Sequence, residues 1–159
     1  MPESIIFNSE AKAKAFSKAG GKSSLKKSKI DQMVDTANIV LYETSSRFPF
    51  ELSPTKLIIC PNRITISNMG HFSNDEYPMA IESITNARIH FDFFFAGLSI
   101  DTFGIDKPPV IKYLKRSDAR IARRYILALI ECKKNGVSLL GLTKNQIKQK
   151  LQEIGRVRK

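Results

Sequence analysis

Between Lys56 and Leu114 the apolar residues come in short runs that mostly alternate, and after Leu114 the period changes to that of a helix. This change constrains the fold more than any other feature. Alternation buries one face of a pleated strand, whereas apolar residues at helical spacing bury one stripe of a helix. Lys56-Leu57-Ile58-Ile59-Cys60 is a buried run, Pro61-Asn62 supplies a turn, and Arg63 to Asn68 alternates with Ile64 and Ile66 on one face, which predicts a hairpin. Residues 70–78 (GHFSNDEYP) read as a polar loop, after which Met79 and Ile81 lead to Ile84–Phe91, where another strand or two is expected. Leu98 to Phe103 alternates strictly, and Gly97 is expected to mark a turn or bulge behind Phe93-Phe94-Phe95. Val110–Leu114 is one more strand, with Pro108 and Pro109 at its mouth, where no ladder donor is needed.

The helical part begins with Ser117 as the expected N-cap and Asp118 in the first turn. Ile121, Ala122, Tyr125, Ile126, Leu129, Ile130 and Cys132 then form a broad stripe that stops at Asn135-Gly136. Thr143 to Gln146 has the form of a capping box and opens a last short helix carrying Ile147, Leu151 and Ile154. Upstream, Ile30, Met33, Val34 and Ala37 have helical spacing, Ile39-Val40-Leu41 shifts to an extended run, and the core is expected to begin near Arg47. Strands followed by helices predict an α+β domain in which a curved antiparallel sheet is plugged by the long helix.

The chain has 159 residues, enough for one domain with tails and not comfortably for two. Residues 8–29 are mostly Ala, Ser, Gly and Lys with two scattered large apolar side chains, too few to offset the entropy of ordering. The expected division is therefore a flexible basic arm over 1–29, a core domain over 30–135, and a short helix with a basic tail over 136–159.

The stretch Lys56–Ile66, the segment Phe93–Ile100 and the helix after Leu114 together resemble the bacterial pleckstrin-homology-like domains, over Val40 to Asn135. The resemblance implies a half-open antiparallel barrel of about seven short strands, capped by the C-terminal helix and followed here by a short extra helix. It also implies a binding or scaffolding role, and it brings no catalytic residues. Eukaryotic relatives that hold phosphoinositides carry several basic residues around the first hairpin turn. Here only Lys56 and Arg63 flank Pro61-Asn62, a departure that argues against specific inositol-phosphate binding.

A search for chemistry points away from an enzyme. His71 and His90 are separated by a loop and a strand, and Cys60 and Cys132 lie far apart in apolar contexts, so no metal site is expected and the cysteines read as buried free thiols. Gly20-Gly21-Lys22-Ser23 lacks the spacing and the preceding strand of a phosphate loop. Asp92, Asp101 and Asp106 read as solvated strand ends rather than acid–base groups. No cofactor is expected.

The charge distribution says more than its total of +11. Seven Lys against Glu3 and Glu10 give +5 over residues 1–30, four basic and ten acidic residues give −6 over 31–106, and fifteen against three give +12 over 107–159. The densest basic group is Lys112, Lys115, Arg116, Arg120, Arg123 and Arg124, with Arg116, Arg120 and Arg123 spaced to share one flank of the long helix. Two readings stay open for that flank: it grips an anionic partner, or it pairs with the carboxylates of the acidic sheet. Phe93, Phe94 and Phe95 form the other candidate surface, and a base-stacking role for them lacks the basic residues that usually accompany stacking nearby in sequence. The function expected first is protein–protein contact or self-association by a scaffolding module. The alternative is peripheral binding to anionic lipid or nucleic acid through the basic termini and the helix flank. No run is long and apolar enough to span a bilayer and the start lacks the order of a secretory signal, so a cytoplasmic location, peripheral at the membrane under the alternative, is expected.

Overall fold

The computed structural model describes residues 29–47, 49, 52–69 and 74–155. The basic arm expected over 1–29 lies outside the described residues except for Lys29, as do the last four residues of the tail. Among the described residues the chain is α+β, with a four-stranded and a three-stranded antiparallel sheet. Helix α1 (Lys29–Ala37) precedes strands β1 (Tyr42–Ser45), β2 (Thr55–Ile59), β3 (Arg63–Met69) and β4 (Asn74–Ala80), which form one sheet in sequential order. A single 3-10 turn, Ile81–Ser83, leads to β5 (Ile84–Phe91), β6 (Ala96–Thr102) and β7 (Val110–Leu114), the second sheet. The long helix α2 (Arg116–Lys134) and the short helix α3 (Lys144–Ile154) follow.

Helix α2 packs across β5 and β6 of one sheet and β1 and β2 of the other, so it closes the space between the sheets. Its side of that core is Ala119, Ala122, Ile126, Leu129 and Cys132; the sheets contribute Leu57, Ile59, Ile64, Leu98, Ile100, Ile111 and Leu114. Ile121, placed in the stripe by its spacing, sits at the stripe's edge and is 38% exposed. Helix α3 joins the same core through the fully buried Ile147 and Leu151, while Ile154 is partly exposed. At one corner the sheets meet through a backbone hydrogen bond from Arg47 N–H to the Tyr113 carbonyl.

Four local expectations change. From Asn74 on, the polar stretch expected as a loop over 70–78 belongs to β4, paired with β3 from Arg63↔Ala80 to Met69↔Asn74. Asn, Asp, Glu and Pro are poor strand formers, but β4 is an edge strand, where one ladder side is free and polar side chains and Pro78 are tolerated. The core begins at Leu41, which is buried and donates its N–H to the Ile59 carbonyl, and not at Arg47. Ser117 is not the N-cap: the helix starts at Arg116, and Lys115 occupies the cap position without a side-chain bond. The chain reversal between β5 and β6 is at Asp92–Phe95, closed by Asp92 N–H to the Phe95 carbonyl, and Gly97 lies inside β6.

Gly97 does mark an irregularity: it stands opposite Lys112 and Tyr113, between the pairs Leu98↔Ile111 and Ala96↔Leu114. The left-handed residue of this bulge is Tyr113, at φ +55°, a conformation that costs a bulky side chain about 1–2 kcal/mol. Its ring stacks edge-on against Phe95 at 6.1 Å between centroids.

The helix ends follow the sequence. Gly136, at φ +62°, takes the left-handed position that stops α2 after Asn135. Thr143 and Gln146 form the reciprocal capping box of α3.

Candidate functional site

The turn between β5 and β6 and the start of α2 come together at one end of the three-stranded sheet. The Ala96↔Leu114 pair fixes this, because it sets the residue after the Phe turn beside the last residue of β7, one step before Lys115. Phe93 and Phe94 form the apex of the turn, 84% and 74% exposed, with their rings edge-to-face at 4.7 Å. Such exposure is unusual for adjacent large aromatic residues. Phe91, half exposed at the end of β5, lies beneath the guanidinium groups of Arg116 and Arg120, at 5.8 and 5.2 Å from its centroid.

The arginine flank is therefore held in place by the sheet, but not through carboxylates. Arg116 Nη2 donates to the Asp92 carbonyl, and Arg123 Nε donates to the Ala87 carbonyl at 2.9 Å. Among the described residues β5 is an edge strand; Arg123 meets a carbonyl along it and Arg116 the carbonyl just past its end. The sheet's acidic residues pair elsewhere: Asp101 with Arg88 at 2.7 Å, Glu82 with Lys133 at 2.6 Å, and Glu43 with Lys56 at 2.8 Å. Lys112, Lys115 and Arg120 are exposed beside the turn, and Asp92 is its one carboxylate.

The residues singled out from sequence thus fall into two groups. Phe93, Phe94, Lys115, Arg116 and Arg120 share the end of the sheet, with Lys112 on the adjoining strand. Phe95 is half-buried against Tyr113, Arg123 is engaged with β5, and Arg124 lies further along α2, where the backbone of Gly155 packs on it. Sequence reasoning left out Phe91 as a contact for the arginines. It also passed over a second exposed apolar pair, Phe103 and Ile105, in the β6–β7 loop at the far end of the sheet.

Elsewhere, a cleft of about 200 Å³ lies between Thr36, the Pro61-Asn62 turn, the C-terminal turn of α2 and Val137–Leu140. Cys132 and Lys133 line it. Burial pushes the Cys132 thiol up, with Lys150 opposing weakly, and burial likewise pushes Cys60 up against the opposing effect of Arg63. Both cysteines are free and buried, and a thiol held protonated is a poor nucleophile. Among the described residues no group of three or more His, Cys, Asp or Glu could hold a metal ion, and no helix is long and apolar enough to cross a membrane.

No known protein family, curated protein or solved structure matches the chain. The functional reading therefore rests on the geometry of the turn and the flank.

Proposed function

We propose that this chain is a non-catalytic binding module of pleckstrin-homology-like architecture, and that it engages an anionic partner macromolecule through the Phe93–Phe94 turn and the arginine flank of α2. The order of four strands, three strands and a helix packed across both sheets supports the architecture. One observation carries the function. Two groups more than twenty residues apart in sequence form one exposed patch, in which no carboxylate ion-pairs with Arg116 or Arg120 among the described residues. Exposed guanidinium groups held beside an apolar apex suit a partner that offers negative charge and apolar or aromatic surface together.

Protein–protein contact by a scaffolding module, the reading placed first on sequence, remains as a second reading because Phe91, Phe93 and the arginines are of the types that anchor protein interfaces. A heparin fragment serves as a generic polyanion in the test. Added to the isotope-labelled full chain, it should shift amide resonances of residues 90–95 and 112–120 first. Shifts confined to residues 1–29 and 136–159 would overturn the assignment of the surface.

A further inference from the structure

We infer that the partner of this surface is a single-stranded nucleic acid, its bases stacked on Phe93 and Phe94 and its phosphates following α2. The inference rests on the binding surface proposed above and names its ligand. The sequence argued against base stacking because no basic residues stand beside the phenylalanines. The fold supplies them from the start of α2, as Arg116 and Arg120, and from Lys115 just before it. Aromatic faces open to solvent beside Arg and Lys are the pairing that single strands use, since every base has a stacking face and every nucleotide a phosphate.

The shape of the charge separates a strand from a membrane surface. Arg116, Arg120 and Arg124 follow one another at four-residue spacing, so the row leaves the aromatic apex and runs about 12 Å along the helix. At its far end the backbone of Gly155 lies against Arg124 so closely that a Cβ there would stand 2.5 Å from Arg124 Cγ. A line of cations leading away from an aromatic tip fits a linear polyanion; a bilayer touching the apex would meet the near end of the row alone. Asp92, in the same turn as the two phenylalanines, would also have to enter the lipid interface with them, whereas beside a strand it stays in water.

The probes are an oligothymidylate of about ten nucleotides, a sugar-phosphate chain of the same length without bases, and vesicles with and without phosphatidylserine. The full chain should bind the base-bearing strand about tenfold or more tighter than the abasic one. The double substitution Phe93→Ser/Phe94→Ser should abolish that preference and leave abasic binding unchanged, and Phe93→Tyr/Phe94→Tyr should restore it. The triple substitution Arg116→Gln/Arg120→Gln/Arg124→Gln should weaken both strands and lower the salt slope by about 2. Equal affinity for the two strands would overturn the inference. So would a Phe dependence seen on anionic vesicles and absent from the oligonucleotide, an outcome that assigns the tip to a membrane. If the heparin fragment shifts the turn while the bases make no difference, the binding surface stands and its ligand is another polyanion. If neither polyanion touches the turn, both readings fall.

Discussion

Tyr42 shows how a single side chain reports on the seam between helix and sheet. Its ring stacks on Tyr125 of α2 at 5.8 Å, and burial, reinforced by the nearby Asp118, pushes its hydroxyl from the ordinary 10.0 up to about 12. The unfolded chain releases this proton near pH 10 while the folded chain keeps it, so the unfolded state binds fewer protons between these values and stability falls as pH rises from 10 to about 12. Denaturant titrations across that range should show the decline, and Tyr42→Phe should flatten it. A decline of the same size in Tyr42→Phe would contradict this assignment. The thiols belong to the same scale. With both pushed up by burial, Cys60 and Cys132 should react with a disulfide reagent at neutral pH only as fast as the chain opens, and reaction at the rate of a free peptide thiol would show that one is accessible.

Among the elements, α2 bears the greatest share of the packing. Ile126→Asp or Leu129→Asp places an unpaired charge in a fully buried position, and either should abolish the cooperative thermal transition. Ile121→Asp, at the half-open edge of the same stripe, should change stability by no more than about 1 kcal/mol. Thr143→Ala removes half of the capping box and should cost about 1 kcal/mol, read as a lower denaturant midpoint with an unchanged slope. These elements were legible because their signals are local: the helical stripe of α2, the box of α3, the Asn135-Gly136 stop, the buried run of β2 and the alternation of β3 and β6 each lie within a few residues of one another. Strand β4 was not legible, since an edge strand need not carry strand-forming residues and its identity comes from β3 beside it. The start of α2 was displaced because the cap position belongs to Lys115, which makes no side-chain cap bond, while the sequence offered Ser117 as a residue of capping type.

For the molecule as a whole, what counts is which distant segments meet. The arginine flank and the phenylalanines were each visible in the sequence, but their meeting was not, because it depends on the β6–β7 register that sets Leu114 beside Ala96. The sequence also left open whether the flank pairs with the acidic sheet. The carbonyls of Ala87 and Asp92 and the Phe91 ring hold it instead, while Asp101, Glu82 and Glu43 pair with Arg88, Lys133 and Lys56. Replacing Arg123 by Gln should therefore cost stability, about 1 kcal/mol for the lost carbonyl bond, whereas Phe93→Ser, at an apex in solvent, should leave the melting temperature unchanged. The central claim is that the start of α2 and the end of β5 form one surface. It is tested most directly by nuclear Overhauser contacts from the ring protons of Phe91. The fold predicts contacts to the side chains of both Arg116 and Arg120; contacts confined to the β5–β6 hairpin would mean that the two groups do not share a surface.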